Sequence, residues 1–197
     1  MFLSQGAFTD AAGHMANSDI FSNEFNGKIY ADGDLVLDMF ASVFMNTTVP
    51  AGKHRYRVIT DTQRKNLFWK LSTQVKTEWG FTSDTPEEAV EVLPLLGVDY
   101  RMALSATNSA PSGPYRFAVG FAMPDGAKTL PVVERSVDIS WDGGKSWKPA
   151  KLTDCGTTSC TVQVSNKRSG QASLRVEATD AGGRTVTQEI IDAYAVR

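Results

Sequence analysis

The chain contains few of the residues from which common active sites are built. Its 197 residues include only two histidines and two cysteines. His14 follows Asp10 at helical spacing, and His54 lies between Lys53 and Arg55 before a strand-like segment. No Gly-x-Ser-x-Gly segment is present to place a nucleophilic serine on a sharp turn. We interpret both histidines as surface or turn residues and predict no catalytic residue in this chain.

The sequence also lacks a strong excess of charge and a long hydrophobic run. The net charge of −2 provides no basic field for nucleic acid and no polybasic patch for a membrane surface. The longest apolar runs, such as residues 92–98, are much too short to cross a bilayer. A hydrophobic content of 42% is nevertheless typical of a globular core. We expect no nucleic-acid partner, no membrane partner, no metal and no cofactor.

We expect the first residues not to form a secretory signal. Met1, Phe2 and Leu3 are apolar, but polar residues follow without the basic flank and long apolar core of a signal peptide. We therefore expect either a cytosolic protein or a fragment of an exported one.

The two cysteines favour export. Cys155 and Cys160 enclose Gly-Thr-Thr-Ser, a turn-prone segment between two strand-like runs. A disulfide across this hairpin would stabilise the fold by about 2 kcal/mol on the chain-entropy view. Two free thiols are the alternative, and a metal site would need ligands that no nearby histidine supplies. We predict a structural disulfide and a secreted, extracellular location.

Residues 140–147 carry the most specific local motif. They read Ser-Trp-Asp-Gly-Gly-Lys-Ser-Trp and fit the pattern Ser-x-Asp-x-Gly-x-x-Trp, the Asp box of secreted β-proteins. We expect the Asp142 carboxylate to accept backbone N–H groups two or three residues on, and Gly144 to take a positive φ. Trp147 should fold back over the turn. The motif predicts a β-hairpin in which Asp142, Gly144 and Trp147 have structural roles.

Strand signals dominate the rest of the chain. Residues 74–82 alternate, with Val75, Thr77, Trp79 and Phe81 on one face. Residues 35–44 and 147–152 also resemble strands, and residues 86–89 could form one helical turn. No stretch has a sustained helical period. The sequence predicts an all-β fold with antiparallel strands and short loops.

A change to polar residues and proline near residue 85 suggests two parts. We predict a smaller β-rich half at residues 1–85 and a second half at residues 86–197. The second half has about seven strand signals, the number found in an immunoglobulin-like or fibronectin-III-like β-sandwich. The Asp box occurs once, so a propeller with one box in each blade is not supported.

A series of short motifs runs through both halves in a defined order. They are Tyr56-Arg57-Val58, Leu71-Ser72-Thr73, Thr77-x-Trp79-x-Phe81-x-Ser83, Leu93-Pro94-Leu95-Leu96-x-Val98-x-Tyr100, the Asp box, Ser173-Leu174-Arg175-Val176-x-Ala178-x-Asp180 and Ile191-Asp192-Ala193-Tyr194. This series resembles the C-terminal β-rich region of secreted subtilisin-like serine peptidases of actinobacteria. The resemblance covers roughly residues 27–196.

The resemblance implies a non-catalytic accessory module of a larger exported protease. Such a module would stabilise the enzyme, bind protein substrate or mediate assembly. Its partner would be the catalytic domain of the same parent chain or a protein substrate. The peptidase motifs around the catalytic Asp, His and Ser are missing, including any Gly-Thr-Ser-Met-Ala stretch, so no catalytic residue is carried over.

Two other interpretations remain open. An extracellular carbohydrate-binding or adhesion module is the main alternative, since Trp69 and Trp141 could form a sugar-stacking platform instead of packing in the core. Acidic turn residues such as Asp32, Asp34 and Asp180 could contribute to a structural calcium site, although turn capping is the favoured interpretation.

Overall fold

The protein is all-β. A computed structural model describes residues 1–4, 22–40, 44–65, 68–85 and 91–197, and within these residues all regular secondary structure is β-strand. The predicted all-β class is confirmed. The strands in chain order are β1 (Phe2–Ser4), β2 (Asn23–Ala31), β3 (Asp34–Phe40), β4 (Phe44–Asn46), β5 (Gly52–Arg64), β6 (Gln74–Thr85), β7 (Gly97–Arg101), β8 (Ser109–Ala110), β9 (Gly113–Ala122), β10 (Val132–Ser140), β11 (Lys148–Pro149), β12 (Lys151–Thr153), β13 (Ser159–Asn166), β14 (Gly170–Asp180) and β15 (Thr185–Val196).

Alternating side chains give each long strand one buried and one solvent-facing side. In β2, Phe25 and Ile29 are buried, while Lys28 and Tyr30 point to the opposite face. Strand β6 follows the same rule, as its sequence predicts, and Trp79 lies on its buried face. The period of two therefore directs the apolar residues of both strands into one core.

The larger sheet contains strands from both the early and the late parts of the described chain. Its nine strands follow the order β11-β10-β14-β15-β6-β5-β2-β3, with the short β8 pairing in parallel with β15. The central step is the antiparallel pairing of β6 with β15, in which Trp79 lies opposite Val186 and Thr77 lies opposite Gln188. The Gln188 amide donates a hydrogen bond of 3.2 Å to the Thr77 hydroxyl. The pairing of β6 with β15 therefore joins the strands β2, β3, β5 and β6 of this sheet to its strands from the second half of the sequence.

A four-stranded antiparallel sheet forms the second layer. Its order is β12-β13-β9-β7, and its apolar side packs against strands β10, β14 and β15. Between the layers, the rings of Tyr115 and Tyr194 lie 5.9 Å apart, and the Tyr194 hydroxyl donates to the Asn166 amide oxygen at 2.9 Å. Together the layers form the antiparallel β-sandwich predicted for the second half.

A small ribbon of β1 and β4 covers the buried side of β2. Leu3 lies opposite Met45, and Met45 is buried against the core. A Cβ atom at Gly27 would lie 2.7 Å from the Met45 sulfur, so glycine at this position leaves room for the ribbon. Phe2 and Phe44 lie on the opposite side of the ribbon and are exposed.

The buried side chains of both halves belong to one continuous cluster. It includes Val58 and Trp79 from the first half together with Phe117 and Val176 from the second. The Trp79 indole also donates to the Leu96 carbonyl at 3.1 Å, and this bond connects the two sides of the predicted boundary between residues 85 and 86. The division into residues 1–85 and 86–197 stays a prediction, and strands from both sides of it share a sheet and a core.

Two predicted strand runs each contribute to two strands of the structure. The run at residues 35–44 includes most of β3, which ends at Phe40, and the first residue of β4, Phe44, and its residues 41–43 lie outside the described residues. The run at residues 147–152 divides into β11, which pairs with β10, and β12, which pairs with β13. The chain passes from one layer to the other between them. The helical turn predicted at residues 86–89 lies outside the described residues.

A pair of leucine variants tests the assignment of the buried face. Leu174 is 1% exposed in β14, whereas Leu35 is 53% exposed in β3. We expect Leu174→Ala to lower the free energy of unfolding by about 2–5 kcal/mol because a cavity forms in the core. The same change at Leu35 should cost less than about 0.5 kcal/mol. Urea denaturation measures both, and equal losses would contradict the assignment.

Candidate functional site

The Asp box joins β10 to β11 as a compact hairpin turn. The Asp142 carboxylate accepts the Ser146 backbone N–H at 2.9 Å and the Ser146 hydroxyl at 2.5 Å. It also accepts the Ser140 hydroxyl at 2.7 Å. These bonds, with the Ser146 hydroxyl as the largest cause, hold the pKa of Asp142 well below its usual range. The carboxylate therefore remains ionised and fixes the turn.

Ser140 shares the role that the sequence assigned to Asp142 alone. Its buried hydroxyl oxygen accepts the backbone N–H of Gly144 at 2.9 Å and that of Asp142 at 3.3 Å. The Lys145 backbone N–H, three residues on as expected, acts on the Asp142 carboxylate, and the bond from the Ser146 N–H at 2.9 Å extends one residue further. The first serine of the motif thus satisfies the nearer amides, and the aspartate contacts the farther ones.

Glycine at position 144 lets the box fold onto the outer face of the larger sheet. Gly144 has a φ of 82°, and a Cβ atom there would lie 2.6 Å from the Ile191 side chain. Trp147 is partly buried, and the Arg175 guanidinium lies 4.9 Å from the centroid of its ring. Arg175 is in turn paired with Asp138 at 2.7 Å. The Trp147 ring therefore covers the ion pair of Arg175 and Asp138 on the outer face of the larger sheet. This packing gives the Asp box a structural role.

The predicted disulfide is confirmed. Cys155 and Cys160 are bonded across the hairpin of β12 and β13, with the exposed Cys155 joined to the buried Cys160. The Arg135 guanidinium donates to the Gly156 carbonyl inside the closed loop at 2.9 Å. The bridge therefore fixes a short turn against β10.

Asp180 caps the hairpin of β14 and β15. One carboxylate oxygen accepts the N–H groups of Gly182 at 2.8 Å and Arg184 at 3.0 Å, and the other accepts the Arg184 guanidinium at 2.6 Å. Both oxygens are thus occupied by donors, as the favoured interpretation of a turn cap requires. Within the described residues, no group of three or more His, Cys, Asp or Glu side chains is placed to hold a metal ion.

Asp32 and His54 form an ion pair that the sequence did not predict. His54 Nδ1 lies 2.7 Å from Asp32 Oδ2, and His54 Nε2 lies 2.9 Å from the Ala51 carbonyl oxygen. The other Asp32 oxygen accepts the Arg55 backbone N–H at 2.9 Å. The Asp32 carboxylate, followed by the Ala51 carbonyl, raises the pKa of His54, and the histidine bond lowers the pKa of Asp32.

The geometry of His54 is unlike that of a catalytic triad. In a triad the second ring nitrogen faces a serine hydroxyl and takes its proton. Here that nitrogen faces the Ala51 carbonyl instead. His14 and Asp10, the other candidate pair, lie outside the described residues.

The tryptophans have different environments. Trp79 is buried, as predicted, while Trp141 is partly buried and packs against the core. Trp69 is 57% exposed on the connection between β5 and β6, where the Arg64 guanidinium lies 4.9 Å from its ring centroid. Of the two platform candidates, only Trp69 is therefore well exposed.

The ribbon of β1 and β4 carries an aromatic pair that sequence reasoning missed. Phe2 is 60% exposed and Phe44 is 55% exposed, and their stacked rings lie 6.4 Å apart. The only sequence signal is a phenylalanine directly before Leu3 and another directly before Met45, in strands of three residues. Such short segments cannot be recognised by periodicity.

Comparisons with known proteins add no family. No protein-family model matches the chain, and no curated protein matches it. Among the described residues, no helix is long and apolar enough to cross a membrane.

The pH dependence of the Asp box is a direct test of its geometry. The folded pKa of Asp142 is depressed, so its stabilising effect is present above the ordinary value of 3.8 and is lost as the pH falls through the folded pKa. We expect Asp142→Asn to lower the urea midpoint near neutral pH, and the difference from wild type to shrink below pH 3.8.

The exposed Asp125 provides the control for this experiment. Asp125→Asn should leave the urea midpoint close to that of the wild type at each pH. A wild-type midpoint for Asp142→Asn at neutral pH would show that the carboxylate does not fix the turn.

Proposed function

We propose that this chain is a non-catalytic accessory region of an exported subtilisin-like serine protease, which binds protein through its β1–β4 ribbon. The observation that carries the proposal is the exposed Phe2–Phe44 pair. The order of motifs in the sequence supplies the link to the protease family.

The ribbon has the construction of a docking element. Its inner side, formed by Leu3 and Met45, packs against the core and fixes its position. Its outer side presents two stacked phenylalanine rings to solvent. Phe40, at the end of β3, is 66% exposed. Exposed aromatic residues on a fixed support are typical of protein-binding surfaces, where such residues contribute much of the binding energy.

The environment of His54 supports a non-catalytic role for this residue. Its two ring nitrogens contact the Asp32 carboxylate and the Ala51 carbonyl, so neither is directed at a nucleophile. The disulfide supports export, because such bonds persist mainly in oxidising compartments. An extracellular accessory region accounts for both features.

Binding measurements with two probes test the proposal. The first is an actinobacterial subtilisin-like catalytic domain whose nucleophilic serine is replaced by alanine, and the second is denatured casein. We expect the chain to bind at least one of them. A chain carrying Phe2→Ser and Phe44→Ser should bind that probe at least about tenfold more weakly, because both rings leave the interface.

Val133→Ser is the matched control, since Val133 is 60% exposed on β10. It should leave the affinity within about twofold of the wild type, as surface changes outside an interface usually do. Circular dichroism must show the native β-signal in each variant. Absence of binding to both probes, or equal weakening by the control, would contradict the proposal. Labelling of the chain by a serine-reactive fluorophosphonate would contradict its non-catalytic character.

A carbohydrate-binding or adhesion module is the second candidate, favoured by the exposure of Trp69. One ring face can stack on a sugar while Arg64 supports the indole. A glycan array separates the two candidates when it is repeated with Trp69→Ala and Trp141→Ala. Glycan binding that is lost in Trp69→Ala and retained in the phenylalanine variant would favour this second function.

A further inference from the structure

We propose that His54 is a pH-sensitive clamp that holds the β2–β3 turn against the start of β5 and releases it when the imidazole loses its proton. The inference goes beyond the proposed function and rests on different residues from the ribbon. Its basis is the chemistry of the two atoms that face the imidazole nitrogens.

Both of those atoms are obligatory acceptors in a folded protein at neutral pH. Asp32 Oδ2 belongs to a carboxylate, and the Ala51 oxygen belongs to a backbone carbonyl. An imidazolium donates from both nitrogens and satisfies both contacts, whereas a neutral imidazole has a single N–H. After deprotonation, one nitrogen lone pair would face an acceptor oxygen. One of the two contacts must then open or lengthen.

The contacts of this clamp connect three parts of the chain. Asp32 lies in the β2–β3 turn, where its backbone N–H donates to the Arg55 carbonyl at 2.8 Å and its carboxylate accepts the Arg55 N–H at 2.9 Å. Ala51 lies on the connection from β4 to β5. His54 therefore ties the turn and this connection to β5, with its side chain 24% exposed to solvent.

The carboxylates and the carbonyl around His54 favour its protonated form. Asp32 contacts His54 from the β2–β3 turn. Asp84 acts on His54 from β6, and Lys53 of β5 is the residue opposite Asp84 in the sheet. On its own strand, Lys53 and Arg55 flank it, and the Tyr56 ring lies edge-on at 6.4 Å. The two carboxylates and the Ala51 carbonyl raise the pKa of His54.

The direction of the pH effect follows from this raised pKa. The stabilising effect of the clamp is fully present below the ordinary histidine value of 6.5, and it is lost as the pH rises through the folded pKa. The turn should therefore be held in mildly acidic solution and released in alkaline solution.

NMR titration of the full chain from about pH 5 to about pH 9 tests the clamp across the histidine range. With two histidines in the sequence, His54→Gln assigns the imidazole signals. We expect His54 to titrate above 6.5, and Asp32→Asn to lower its pKa. Asparagine accepts the positive φ of this position and keeps an oxygen for the Arg55 N–H, so the variant should fold.

Asp34→Asn is the matched control, because Asp34 is an exposed carboxylate at the other end of the same turn. It should leave the pKa of His54 close to the wild-type value. The second measurement is the hydrogen-exchange protection of the Asp32 and Arg55 amides, corrected for the intrinsic effect of pH. We expect protection to fall several-fold as His54 deprotonates, and to lose this dependence in His54→Gln.

A His54 pKa at or below 6.5, or one that Asp32→Asn does not lower, would overturn the clamp. Protection of both amides that stays constant through the titration would overturn the release. Neither result depends on whether the ribbon binds protein.

Discussion

The antiparallel pairing of β6 with β15 is the interaction on which the rest of the fold depends. Backbone hydrogen bonds between residues 74–80 and 185–191 connect strands that are far apart in sequence. Without this pairing, β2, β3, β5 and β6 would form one sheet, and β10, β11, β14 and β15 would form another. With it, a single sheet provides a continuous support, and the β7–β9–β13–β12 sheet and the ribbon each cover part of its buried side.

This support holds the Asp box, the ribbon and the His54 contacts in place. The Asp box folds over the outer face at Ile191 and Arg175. The ribbon covers the buried side of β2, and the His54 clamp holds the β2–β3 turn. Each feature is a short element that a large sheet holds in place. The proposed binding role follows from this arrangement, since a fixed ribbon can present its phenylalanines without reorganising.

The sequence predicted the features whose physical cause is local. Period-two alternation identified the long strands, and the Asp box and the close cysteine spacing predicted their turns. The ribbon was missed because three residues contain too little periodicity, and its inner side is recognisable only once Gly27 brings Met45 onto β2. The contact between His54 and Asp32 was missed because it depends on the register of β2 and β5. Register is set by the whole sheet, so the residues alone did not indicate that pair.

Native-state hydrogen exchange tests most directly whether the β6–β15 pairing makes one cooperative unit. We expect the protected amides of β5 and β6 to exchange with the same free energy as those of β14 and β15, and this value to equal the free energy of global unfolding. Exchange of β5 and β6 through an opening that costs about 2 kcal/mol less, with β14 and β15 still protected, would contradict it. In that case the halves would separate before the protein unfolds.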